Sequence, residues 1–258
     1  MKINYTITPG ILLLLLLMVS SCKKVLDYIH QHPDGDLKDC RILRLTTAAP
    51  DKLGLLPDTA WFEYNAWGNP VKIRVKNIGT GNPERRFKYD KQHRLTEYIG
   101  AYSGTSGYEY WHYYTYNKKN QVVLDTAYIF ITADFTGPRP TDYTFLYVTQ
   151  YEYDAFGRIS KATQSDPWGG SVNTYAYDAK GNLIYPNDWD VVYDNNPNIH
   201  RTNKVWMFID RDYSVNNPYP ATAFNSKGLP VKFFMDESKI GLDFLDIYNL
   251  SEAEYACK

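Results

Sequence analysis

Histidine, cysteine and blocks of like charge are scarce in this chain, and each scarcity removes a class of function. Five histidines and three cysteines are spread through 258 residues without the paired spacing of a zinc site. His30-Gln31-His32 offers two ring nitrogens and no third ligand, so neither a metal nor a cofactor is expected. The 28 basic and 29 acidic residues nearly cancel, and no run of five like charges occurs. A nucleic-acid partner is therefore not expected, because phosphate binding needs a net or patterned positive surface. Enzyme signatures are missing too: there is no Gly-x-Ser-x-Gly, no His-Glu-x-x-His, no phosphate loop and no dinucleotide fingerprint. Glu63, Glu97, Glu109 and Glu152 could supply a carboxylate pair for glycoside hydrolysis. They alternate with aromatics, however, and read better as solvated strand faces. The chain reads as non-catalytic.

A hydrophobic run long enough to span a membrane is also missing. Residues 11–19 are unbroken and apolar, but about nine residues fall far short of the roughly twenty a spanning helix needs. Lys2 precedes that run and small residues follow it, which is the layout of a secretory signal. Its last four residues, Val19-Ser20-Ser21-Cys22, resemble the lipobox of bacterial lipoproteins. The resemblance implies cleavage before Cys22, lipidation of that cysteine, and a membrane partner reached through the anchor. Each buried CH₂ of such an anchor contributes about 0.8 kcal/mol. Residues 22–38 are polar and turn-forming and read as a tether. Lys23 does not resemble the aspartate that retains some lipoproteins at the inner membrane, which favours the outer membrane and allows surface display.

What the chain has in quantity is tyrosine, 24 residues within an aromatic content of 16%. Flat rings suit a pleated surface, and a phenol tolerates one wet end. Six segments repeat one pattern: an aromatic, then Asp or Asn, two free positions, Gly or a substitute, and an aliphatic soon after. The turn pairs are Asn65 with Gly68, Asp90 with His93, Asn117 with Asn120, Asp154 with Gly157, Asp178 with Gly181, and Asn225 with Gly228. This spacing predicts a type I turn closed by a positive-φ residue, the three-residue hairpin with a bulge. His93 and Asn120 replace glycine with two residue types that tolerate that conformation. Aromatics two apart before each turn fall on one sheet face.

Tyr153-Asp154-Ala155-Phe156-Gly157-Arg158-Ile159 resembles the YD repeat of Rhs-type cell-surface proteins, with partial copies over about residues 59–236. The chain is more similar still to Bacteroidota lipoproteins with YD-like hairpins. Their features are matched by residues 193–198, by Asn216-Asn217-Pro218 and by Gly228-Leu229-Pro230. That resemblance implies an all-β domain over residues 39–258. It would be an antiparallel meander of about fourteen strands, forming a closed or nearly closed barrel or else an open, curled single-layer sheet.

Cys40 and Cys257 stand at the first and last strands of that domain. They either pair, which makes the chain ends neighbours, or serve as two separate small hydrophobes. Trp67 and Trp168 sit in loops and either stack on a ligand such as a glycan or fold back over the sheet. The expected function is that of a lipid-anchored envelope protein that binds a ligand or has a structural role. A glycan-binding accessory lipoprotein at the outer-membrane surface is the alternative.

Overall fold

The computed structural model describes residues 37, 39–48, 58–102, 107–131, 140–185, 191–235 and 249–258. The signal-like segment, Cys22 and nearly all of the tether lie outside the described residues.

The six Tyr-Asp segments fold into six hairpins with one geometry. They join β2 (Asp58–Tyr64) to β3 (Pro70–Val75), β4 (Glu84–Tyr89) to β5 (Leu95–Ala101), and β6 (Tyr108–Tyr116) to β7 (Val122–Ile131). The others join β8 (Phe145–Tyr153) to β9 (Ile159–Ser165), β11 (Ala176–Tyr177) to β12 (Leu183–Ile184), and β13 (Ala221–Phe224) to β14 (Pro230–Met235). In each turn the first side chain accepts two backbone N–H bonds, as Asp154 does from Phe156 and Arg158 at 2.9 and 3.0 Å. The fourth residue then takes a positive φ, from 59° at Asn120 to 85° at Gly68 and Gly181. In all but the β11–β12 hairpin the register also slips by one residue beside the turn, as between Glu152 and Tyr153, which is the expected bulge.

Tyrosine is preferred before the Asp because its hydroxyl ties one hairpin to the previous one. Tyr89, Tyr116 and Tyr153 donate to the carbonyls of Pro70, Leu95 and Val122 at 2.6, 2.7 and 2.7 Å. Each acceptor is the first residue of the preceding hairpin's outgoing strand. Tyr255, in β15 (Asn249–Cys257), repeats the contact to Pro230 at 2.7 Å, and Tyr64 reaches Ile42 of β1 (Cys40–Ala48) at 2.8 Å. The arginine of the motif adds a second tie. Arg158 pairs with Asp154 at 2.7 Å and stacks 3.9 Å from the ring centre of Tyr177 in the next hairpin. Arg94 does the same with Asp90 and Tyr116.

Thirteen strands form one antiparallel sheet, in the order β10 (Ser171–Thr174) down through β9 to β1 and then β15, β14 and β13. With the separate β11–β12 pair this makes fifteen strands among the described residues, against about fourteen expected. The sheet is not closed by hydrogen bonds, so of the expected forms the fully closed barrel is not found. The meander stops at β10 because the fifth hairpin pairs only with itself, through Ala176 with Ile184 and Tyr177 with Leu183. The chain ends nonetheless meet inside the sheet. β1 pairs with β15, and Cys40 is bonded to its register partner Cys257 with Cα atoms 4.0 Å apart. Adjacency of the cysteines thus needs only this strand pair, not closure of a barrel.

The inner face of the curl is filled by the chain between the fifth and sixth hairpins. A 3-10 turn, Ile199–Thr202, leads into α1 (Lys204–Ile209), with Asn198 and Asn203 as their N-caps. Trp206 is fully buried and meets Phe62 and Phe87 edge-on, with ring centres 5.7 and 5.6 Å apart. Ile42, Leu45, Ile73, Tyr98, Ile199, Tyr219 and Phe233 complete this core. The opposite, outer face carries cross-strand ion pairs: Arg44–Glu254, Arg74–Glu63, Lys88–Glu97, Lys161–Glu152 and Lys232–Glu252. Exposed pairs of this kind contribute little stability each. They share the outer face with a second apolar cluster, in which Ile99, Trp111 and Tyr128 pack with Tyr113 and Leu146.

Candidate functional site

Alternation along β6 to β9 brings a polar group onto the inner face beside α1, whose Phe208 meets Tyr114 and Tyr151 edge-on. Two register rows run across the strands: His112–Ala127–Tyr147, and Tyr114–Asp125–Thr149–Gln164. His112 Nδ1 lies 3.0 Å from both oxygens of Asp125, and Asp125 is buried. Tyr151, next on β8, donates a long 3.4 Å bond to Asp125 Oδ2. From the other side Arg211 donates to Tyr151 at 3.4 Å and to Tyr175 at 3.2 Å. A relay therefore runs His112–Asp125–Tyr151–Arg211–Tyr175, with the acid and the guanidinium separated by a phenol.

These residues enclose a recess of about 230 Å³ lined by His112, Asp125, Ala127, Ile129, Tyr147, Thr149, Gln164 and Arg211. Burial, reinforced by the charge of Asp125, pushes the Tyr114 and Tyr151 phenols well above their ordinary range. Arg211 remains protonated: burial works against its charge, but the Tyr151 and Tyr175 oxygens outweigh that and raise its pKa.

Arg211 is delivered by an unusual backbone. It follows Asp210, the C-cap of α1, and has φ +55°, the position where glycine commonly ends a helix. A side chain there costs about 1–2 kcal/mol. The two flanking acids hold it in place. Asp210 Oδ2 lies 2.5 Å from His200 Nε2, and Asp212 Oδ2 accepts from Asn198 at 3.0 Å. Asn198 Oδ1 in turn contacts His200 Nδ1 at 2.8 Å. His200 is only 1% exposed, so this network is sealed, and it positions the loop rather than meeting a ligand.

The residues singled out in the sequence do not assemble into one site. Trp67 is 66% exposed at a Tyr-Asp hairpin tip, with its ring 4.1 Å from that of His93. Trp168 is 70% exposed in the β9–β10 loop, at the opposite end of the strands, with its ring 4.9 Å from Phe145. Glu63, Glu97 and Glu152 are engaged in outer-face ion pairs, and Glu109 accepts from Gly81 N and Tyr102 Oη. None of the four lines the recess. Asp125 and His112 did carry a signal, an acid and an imidazole at strand positions whose register neighbours face inward. Arg211 carried none, because its approach depends on the chain crossing the curl.

No family model matches this chain, and no curated protein matches it either. Among solved structures, the crystal structure of TcdB2-TccC3-TEV is similar at 12% identity and a TM-score of 0.28, covering 71% of this chain and 9% of that one. The chain thus spans about a tenth of that structure's length. A likeness this slight establishes neither fold nor function, and no family follows from it.

Proposed function

We propose that this protein is a lipid-anchored, non-catalytic component of the bacterial cell envelope, with a small polar ligand held in the inner recess of its sheet. The observation that carries the reading is the recess itself. It places Asp125, His112, Gln164 and Arg211 around an apolar patch of Ala127, Ile129 and Tyr147. Polar groups predominate in this lining, with His112, Asp125, Thr149, Gln164 and Arg211 against three apolar surfaces, which suits a polar ligand. The lipobox-like Val19-Ser20-Ser21-Cys22 supports anchoring. Ion pairs on β1–β3, β8, β9 and β15 interrupt the outward face, and the apolar cluster around Trp111 and Tyr128 covers only β5–β8, which favours a body outside the hydrocarbon layer. Kinship with YD-repeat Bacteroidota lipoproteins, and a place at the outer membrane, belong to the same proposal.

Two measurements test it. Cys22→Ala abolishes incorporation of labelled palmitate and leaves the β body folded by circular dichroism; labelling that persists removes the anchor. For the recess, a panel of sugars, sugar acids and amino acids is screened by thermal shift. Hits are to be lost in Gln164→Leu, and a panel without any hit removes the binding reading. The exposure of Trp67 and Trp168 favours a second reading, glycan binding at the surface. Because the two stand at opposite ends, Trp67→Ala and Trp168→Ala are to be assayed separately on immobilised polysaccharides.

A further inference from the structure

Resting on that reading, we infer that the recess takes a sugar acid, a single pyranose-sized ring whose carboxylate meets Arg211 and whose hydroxyls meet Asp125, His112 and Gln164. Three observations lead there. The first is the state of Arg211. Among the described residues no carboxylate pairs with it, and its hydrogen bonds go to two phenols at 3.2 and 3.4 Å. A guanidinium has five N–H donors in a planar fork that matches a carboxylate, so most of its capacity remains. The two phenols leave the planar fork of a largely buried guanidinium without a matching acceptor pair, and an incoming carboxylate would supply one.

The backbone supplies the second observation. Arg211 occupies a left-handed position where glycine or asparagine is the ordinary choice. Strain of this kind clusters at ligand clamps. The sealed His200–Asp210–Asn198–Asp212 network fixes the residues on either side, so the backbone that carries the guanidinium is held in place.

The third observation is the composition of the opposite wall. Asp125 accepts, Gln164 both donates and accepts, and His112 is oriented by its bonds to Asp125, a set suited to a ring of hydroxyls. Tyr147, Ala127 and Ile129 offer the apolar surface that a pyranose face requires. At about 230 Å³ the recess has room for one ring, below the roughly 300–1,000 Å³ of a drug-sized pocket. A phosphate dianion fits less well, because Asp125 shares the cavity with the single arginine.

The test is calorimetric titration of the purified full chain with glucuronate, galacturonate, the methyl ester of glucuronate, glucose, acetate and inorganic phosphate. A sugar acid is expected to bind at least tenfold tighter than its methyl ester, than glucose and than acetate. Arg211→Gln is expected to bring the acid down to the level of the ester. The ester comparison needs no substitution, so the inference stays testable if Arg211→Gln fails to fold. Equal binding of the acid, ester and glucose overturns the sugar-acid assignment and leaves the binding reading standing. Acetate or phosphate matching the sugar acid also overturns it, by reducing the site to a plain anion contact. If no ligand here or in the wider thermal-shift panel binds, the inference and the binding reading fall together.

Discussion

The sheet from β2 to β9 and the chain that fills it, residues 191–219, press against one another yet are organised by opposite means. In the sheet one short pattern recurs, and each copy supplies both its own turn and its tie to the copy before. Asp154 caps its turn, Tyr153 reaches back to Val122, and Arg158 reaches forward to Tyr177. The filling segment repeats nothing. Its order depends on single residues with unique partners: Trp206 in the aromatic core, His200 between Asp210 and Asn198, and Arg211 at the recess. A repeat tolerates loss of a copy, because neighbours supply equivalent contacts. The filling has no spare, and the candidate site lies where the two meet.

That contrast can be broken first at the chain ends. Cys40→Ser with Cys257→Ser opens a loop spanning 217 residues and should cost about 5 kcal/mol on the chain-entropy account. Urea unfolding of the double variant against the oxidised wild type measures it, and no change would mean that β1–β15 pairing alone sets the joint. Trp206→Ala comes next, at about 3–5 kcal/mol, with loss of near-ultraviolet circular dichroism from the core. A cost below 1 kcal/mol would show that the filling is dispensable to the sheet.

Alkaline pH should act mainly on the repeat. Burial, slightly offset by Arg94, pushes the Tyr116 phenol up to about 12, and Tyr89 and Tyr153 are raised as well. A phenol with a raised folded pKa holds its proton while the unfolded chain loses it. Stability is therefore full below about pH 10, the ordinary value, and declines as pH rises through 12. Tyrosinate absorbance should follow unfolding rather than precede it. The smallest effect sharpens the comparison most. Tyr153→Phe should lose about 1 kcal/mol through its unmet carbonyl partner, whereas Phe224→Tyr should change almost nothing. Phe224 ends β13, an edge strand, where no earlier hairpin offers a carbonyl. A matching gain at Phe224 would refute the interlock.

Much of this architecture could be read from local chemistry. Asp or Asn followed three places on by Gly, His or Asn dictates the turn, because the side chain satisfies two amides and only certain residues accept positive φ. The same rule predicts hairpins, hence strands, hence an all-β chain. The tyrosine ladder was half legible: the rings were expected on one face, but their hydroxyl acceptors lie on another hairpin. Where the ladder stops was not legible at all. Nothing within Tyr175-Ala176-Tyr177-Asp178 distinguishes that copy from the others, yet it leaves the main sheet and bonds instead to the filling segment, through Leu183 with Ser214 and Tyr193 and through Asn182 with Asn216. The recess arises the same way. Strand alternation sets which faces His112 and Asp125 share, a short-range property of the backbone. Meeting Arg211 depends on a chain crossing some sixty residues long between Tyr151 and Arg211, and only packing of the whole body specifies such a contact.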